Sequence, residues 1–513
     1  MSCKTSLFFG LISFFFLSCS VPRQLEKKEE LGNFDRYIEE RNKLLLSDSL
    51  LYFDRQVQLN PLEERLNRQL IDLQQKMIET YKADHFFPPA RNFYQSKRHI
   101  EESLLFKVIQ KMPKGGILHL HSGAMGDARW LIQKAIETPE MYVFWETSNE
   151  KFVKGQLQAF SPATVPSGFQ QVNRLAKEEE SFPNELLDLL TFDEEMDRDS
   201  VDIWAEFENV FQRINGFITY RKIPEEILNH GVDLLIEDNI QHAEFRTFFG
   251  SRYYDLDGSR MSNQGYIDML ERVLQYARQK DPAFTFHLIQ QSLRFFDADT
   301  IWAHMKRAHR YRTEYPQWIR GFDLVAEEDA GHTTLFHAAE FLKLDSLERK
   351  TGVDLPLFLH DGESDWAGTA NLYDAVLLGT KRIGHGFNLF RFPHLMDLVR
   401  DENICVEVNP LSNQILGYIR DLRLHPASTY LRRGIDCVIS SDDPMIFDYR
   451  GLSYDFWSVF LAWELDLAAL KKLSRNSLEY AAFTEPEKQK ALENWDKRWR
   501  AFVQEALEII RTR

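Results

Sequence analysis

Met112-Pro-Lys-Gly-Gly-Ile-Leu-His119-Leu-His121 is a short apolar run that ends in two histidines one residue apart. In a β-strand alternate side chains share a face, so both imidazoles would point into one cavity. Such a strand end offers two nitrogen ligands to a single metal ion. The pair gains meaning only when further ligands close the shell, and the chain supplies them in order. Leu357-Phe-Leu-His360-Asp-Gly-Glu363, Arg382-Ile-Gly-His385-Gly and Val438-Ile-Ser-Ser-Asp442-Asp443-Pro each follow a strand-like apolar run and precede a polar, turn-like stretch. His119, His121, His360 and Asp442 make a chemically sensible shell for one zinc ion, with room left for a water. Glu363, His385 and Asp443 are then the acid, base and hydrogen-bonding groups that a hydrolytic site needs.

Working outward from these runs, strands are expected at 117–121, 242–248, 284–290, 319–325, 356–360, 381–385, 404–409 and 435–442, separated by amphipathic stretches such as 266–279 and 333–344. Eight alternating β and α units predict an α/β fold of the (β/α)8 TIM-barrel type over residues 105–480. His121, His360, His385 and Asp442 fall at C-terminal strand ends, where barrel enzymes place their chemistry. Roughly 120 residues separate the first two strands, more than a helix and two loops require. Residues 140–200 are therefore read as an inserted lobe near the barrel mouth, followed by an amphipathic helix over 201–211. Residues 25–104 read as an accessory helical segment, broken at Pro88-Pro89 and resuming over 100–110. Residues 481–513 read as a C-terminal helix.

At 513 residues, 44% hydrophobic and 27% charged, the chain has the make-up of a large soluble globular protein. Sixty-two basic against 78 acidic residues leave a net charge of −16, which argues against a nucleic-acid partner. The N-terminus has its own logic. Lys4 precedes an apolar run over residues 7–17, too short to span a membrane but the right length for a secretory core. Leu17-Ser18-Cys19-Ser20 resembles a bacterial lipobox, which predicts a lipoprotein signal peptide over 1–19 and a lipid anchor on Cys19. The expected location is the periplasm or outer membrane of a Gram-negative bacterium, with simple secretion as the alternative. Removing Cys3 and Cys19 leaves Cys405 and Cys437, which form no Cys-x-x-Cys pair and are read as buried thiols, so a thiolate metal site is excluded.

The motifs taken together resemble the adenosine deaminase family, most closely its secreted, growth-factor-related branch. Met112–His121 carries the resemblance with Trp204-Ala-Glu-Phe-Glu, Phe322-Asp-Leu-Val-Ala-Glu-Glu-Asp-Ala-Gly, His360-Asp-Gly-Glu-Ser-Asp-Trp366, Leu378-Gly-Thr-Lys-Arg-Ile-Gly-His-Gly-Phe, Glu407-Val-Asn-Pro-Leu-Ser-Asn-Gln and Ile439-Ser-Ser-Asp-Asp-Pro. The resemblance implies zinc on His119, His121, His360 and Asp442, and deamination of adenosine and 2′-deoxyadenosine to inosine nucleosides and ammonia. It implies protonation of purine N1 by Glu363, handling of the attacking water by His385, and a bond from Asp443 to N7. Gly362 and Ala326 would fix the ring edge, Trp204 would cover the purine, and the 25–104 segment would form a homodimer. Three departures stand out. Ala326 replaces the usual Gly, Asp361 replaces the usual Ala, and Ser122 replaces an Asp that in this branch contacts ribose. Competing readings are another amidohydrolase-type hydrolase, a deaminase of a different purine, or a surface-displayed binding or signalling protein on a relic barrel. Cytidine-deaminase chemistry is excluded by the missing paired cysteines.

Overall fold

The computed structural model describes residues 33–196, 202–250 and 252–512; the signal peptide expected over 1–19, with Cys19, and Val201 lie outside them. The chain divides into two compact units, Met1–Leu50 and Leu51–Arg513. The first contributes one helix, Phe34–Ser49, started by the Asn33 side chain, which accepts from the Arg36 amide. None of its residues is buried, and Phe34, Leu45 and Leu46 stand exposed.

The second unit is built on eight parallel strands. β1 (Gly115–His121), β5 (Ile240–Thr247), β6 (Thr285–Leu293) and β7 (Ile319–Val325) pair in that order. β8 (His360–Asp361), β9 (Arg382–His385), β10 (Cys405–Val408) and β11 (Cys437–Ile439) form a second parallel set. Single bridges Leu120↔Asp442 and Phe322↔Leu357 join the two sets at both edges, which closes the barrel. Helices between the strands cover the outer face of the barrel and side chains fill its interior, so strands buried on both faces read as near-continuous apolar runs.

Charged residues nevertheless stand inside those runs. Arg246 reaches Asp323 at 2.6 Å and Glu407 at 2.5 Å, and Arg382 reaches Glu407 at 2.5 Å as well as Glu244. All five are fully buried. A buried charge is tolerated only when paired, and here every one is.

Between β1 and β5 the chain forms a lobe around a small antiparallel sheet: β2 (Met141–Phe144) sits between β3 (Leu157–Ala159) and β4 (Phe169–Gln171). Its strand β3 bridges at Gln158 to Gly216 on the helix Ile203–Ile218. A Cβ at Gly216 would lie 2.4 Å from the Leu157 carbonyl, so the approach needs glycine.

Two helical expectations change in detail. The stretch expected over 100–110 is split into Phe93–Glu102 and Leu104–Lys111, because Ser103 turns into extended backbone and its hydroxyl caps the second helix at the Phe106 amide. The helix expected over 333–344 begins as a short 3-10 turn and runs on as Ala338–Thr351, stopped by Gly352 at φ 71°. Cys405 and Cys437 are both free and buried. No described helix is long and apolar enough to cross a membrane.

Candidate active site

The strand-end residues meet at one rim of the barrel. His121 Nε2 lies 3.3 Å from both His360 Nε2 and Asp442 Oδ1, and His119 Nε2 lies 3.3 Å from the same Asp442 oxygen. Behind each ring its Nδ1 is anchored. His119 donates to Glu407 (2.9 Å), His121 to Gln291 (3.2 Å) and His360 to Asp323 (2.6 Å). These partners fix the tautomer and aim every Nε2 inward, as outer partners of metal-binding histidines do. Ser412 donates to Asp442 Oδ2 at 2.8 Å and so orients the carboxylate. His119 Nε2 is fully buried without a hydrogen-bond partner, an orphan that a metal ion would satisfy. His119, His360, His385 and Asp442 form one group with metal-binding geometry, and His121, Asp442 and Asp443 another that shares Asp442. Three imidazole nitrogens and one carboxylate suit a divalent cation with an open position.

Backbone geometry places these groups as much as the strands do. His385 and Asp442 adopt left-handed conformations at φ 64° and 63°, and Ala326 does so at 85°. Such backbone is costly for residues with a Cβ and collects at functional sites. Gly362 also has a positive φ, 84°, and a Cβ there would come within 2.9 Å of Asn388 Oδ1. Glycine thus permits the tight turn that brings Glu363 round from the end of β8. The Glu363 amide is held by Glu328 Oε2 at 2.6 Å.

The electrostatics divide the acids into two kinds. Burial, with the charges of Asp442 and Glu328 nearby, pushes Glu363 well above the usual carboxylate range. Asp443 is raised in the same way, by burial and by Asp442. Burial would also raise Asp442, but its contacts with His119 and His121 outweigh that and hold it well below. Burial keeps two of the imidazoles neutral: His360 is lowered to about 3 and His385 falls well below its usual value. His385 Nδ1 lies 3.3 Å from Glu363 Oε1, and its Nε2 lies 4.0 Å from Asp442.

Above this floor opens a cavity of about 460 Å³. Ala326, Asp443, Trp204, Glu363, His385 and Ser122 all line it, whereas Gly362 does not. Trp204 is buried, and its Nε1 donates to Tyr418 Oη at 3.0 Å, so it is both core and cavity wall. Asp361 turns away from the metal cluster. It accepts from Thr334 (2.6 Å) and faces Arg294, which also donates to the His360 carbonyl. Sequence reading quoted Phe207 and Glu208 within a motif but gave them no role, and it did not single out Gln291 or the lobe residues Gln156 and Gln158; all of these also line the cavity.

Comparison with known proteins agrees with this geometry. The family model for adenosine deaminase matches residues 169–498, and that for the adenosine/AMP deaminase N-terminal region matches 14–109. The chain belongs to the adenosine deaminase family. It is 34% identical to adenosine deaminase 2 of Sus scrofa, covering 91% of this chain and 94% of that protein. It is 32% identical to adenosine deaminase 2 of Dictyostelium discoideum, over 91% of this chain and 87% of the relative. Among solved structures, an adenine deaminase from Arthrobacter aurescens superposes with a TM-score of 0.52 at 16% identity, over 75% of this chain and 98% of that one. The N6-methyl-AMP deaminase of Arabidopsis thaliana gives 0.55 at 16%, over 76% and 98%. These two establish the shared fold. This family is metal-dependent, and the His/Asp cluster could hold a metal ion.

Proposed function

We propose that the protein is a zinc-dependent adenosine deaminase that converts adenosine and 2′-deoxyadenosine to the inosine nucleosides and ammonia. The observation that carries this is Glu363, a buried carboxyl with raised proton affinity, set 3.3 Å from His385 on the floor of a cavity beside the His/Asp cluster. One zinc ion on His119, His121, His360 and Asp442 would supply a water acidified to near neutral pH. Glu363 holds a proton that it delivers to purine N1, breaking the aromaticity that protects C6. His385 is neutral and takes a proton from the water that adds to C6. Asp443, protonated by burial beside Asp442, bonds N7. Ala326 and Trp204 wall the ring, and Gly362 contributes by turning Glu363 into place. The C6–N bond then breaks as His385 passes its proton to the departing amine, which leaves as ammonia, and the C6 hydroxyl returns a proton to Glu363 as the C6 carbonyl forms.

The leader supports export and a lipid anchor on Cys19, in the periplasm or outer membrane of a Gram-negative bacterium. The exposed apolar side chains of Phe34–Ser49 support a homodimer through the N-terminal segment. Sedimentation of full-length and trimmed protein tests the dimer, and the mass of the mature N-terminus tests the anchor. The deaminase assignment is tested by ultraviolet absorbance of the zinc-loaded protein with adenosine. A shift to the inosine spectrum is expected, and an unchanged spectrum with zinc confirmed overturns it.

A further inference from the structure

Gly362 gives the turn after β8 a backbone that can rotate, and Glu363 is carried on that turn. The peptide between the two residues is nevertheless pinned at both ends. Its carbonyl, on Gly362, accepts from the Asn388 amide at 2.9 Å, and its N–H, on Glu363, donates to Glu328 Oε2 at 2.6 Å. Among the described residues no hydrogen bond clasps the Glu363 carboxyl, and its Oε1 is buried without a partner. The acid is therefore aimed from its backbone.

Glu328 is itself held in one orientation. It is buried, and its Oε1 accepts from Asn371 Nδ2 at 2.8 Å. Asn371, also buried, opens the helix Asn371–Leu377, and its Oδ1 accepts from the Thr334 amide at 3.0 Å. A backbone N–H can only donate, so the Asn371 oxygen must face Thr334 and its NH2 must face Glu328. Both oxygens of Glu328 are thereby acceptors. Neither Glu328 nor Asn371 lines the cavity, so an effect of either on the reaction has to pass through Glu363.

We propose that Glu328 and Asn371 are positioning residues for the catalytic acid: together they fix the plane of the Gly362–Glu363 peptide and so set the reach of the Glu363 carboxyl toward purine N1. This rests on the deaminase reading of the site.

The test measures kcat and KM for adenosine, metal content and thermal midpoint on the metal-loaded, full-length protein and on E328Q, N371D and the pair E328Q/N371D. Each single change sets two donors or two acceptors against each other. It should lower kcat by about tenfold to a hundredfold, the cost of a reacting group displaced by about 1 Å, with KM and metal content near wild type. In the pair the bond runs the other way. The new amide at 328 donates to the new carboxylate at 371, and an oxygen still faces the Glu363 amide and another the Thr334 amide, so most of kcat should return. E328D, which draws the carboxyl back by one methylene, is the milder break should a single change not fold; its kcat should fall at a near-normal midpoint. Wild-type kcat in the folded variants, a pair no faster than its singles, or a loss confined to KM or to metal content overturns the proposal and leaves the deaminase reading standing. A wild type inert toward adenosine, with metal confirmed, would overturn the deaminase reading itself, and this proposal with it.

Discussion

The barrel holds two buried clusters of histidine and carboxylate, and they behave in opposite ways. At the rim His119, His121, His360 and Asp442 turn their free atoms toward one another. At the other cluster His242, Glu244 and His287 come equally close, so residue type does not separate the two. Their partners do. The rim imidazoles are held from behind, by Glu407, Gln291 and Asp323, which leaves the Nε2 atoms converging. In the second cluster the carboxylate and one nitrogen of each ring are already taken, while His242 Nε2 and His287 Nδ1 are buried without a hydrogen-bond partner. Glu244 binds Arg382 and the Ala482 amide, His242 bonds Thr285 at 2.8 Å, and Arg320 Nη2 lies 3.2 Å from His287 while gripping Glu487. The Phe483 ring covers His242 at 4.1 Å. Glu487 lies in the first turn of the long helix Glu485–Arg511, so this cluster ties that helix to the barrel. A site is recognised by the direction in which its hydrogen bonds point.

The contrast can be broken most sharply at Glu363. Replacing it with Gln should keep the metal and lower kcat by about a thousandfold or more, at the upper end of what a general acid contributes; near-normal turnover with adenosine would show that the acid lies elsewhere. Metal analysis comes next. Wild type should hold about one zinc per chain, His119→Ala should lose most of it, and His242→Phe should keep it, whereas two ions in wild type would make the second cluster a site as well.

Acid titration probes the second cluster further. Burial lowers His287 from 6.5 to about 4, and Glu244, though raised by burial, is brought from 4.5 to about 2 by Arg382 and His242. Both groups bind protons more readily when unfolded, so stability falls with acid. The His287 contribution is complete above pH 6.5 and is lost as pH falls through 4; that of Glu244 is complete above 4.5 and is lost through 2. Each amounts to about 3 kcal/mol. Urea midpoints across this range should flatten in the upper part for His287→Gln and in the lower part for Glu244→Gln; parallel curves would remove these groups from the acid response. The smallest effect is at Ala326, whose φ of 85° favours glycine. Ala326→Gly should raise stability by about 1 kcal/mol in the same urea assay, and a loss would mean that the methyl packs usefully against the cavity.

All eight barrel strands were legible because strands buried on both faces leave long apolar runs, and the rim residues because they end those runs. The holders of the rings were not. Asp323 and Glu407 stand inside motifs that the sequence displays, but their histidines lie 37 and 288 residues away, and spacing cannot reveal such pairings. Asp361 could be read either toward the metal or away from it; strand alternation after His360 sends it to Thr334 and Arg294. Strands β2 to β4 escaped notice because three or four residues are too few to show a period.

The lobe that hides those short strands takes no part in closing the barrel, yet Gln156 and Gln158 at its β3 edge are part of the cavity wall. The cavity is therefore walled partly by a stretch of chain separate from the strand ends that carry the His/Asp cluster, so that a change at Gln156 or Gln158 would alter its wall without touching the metal-binding residues.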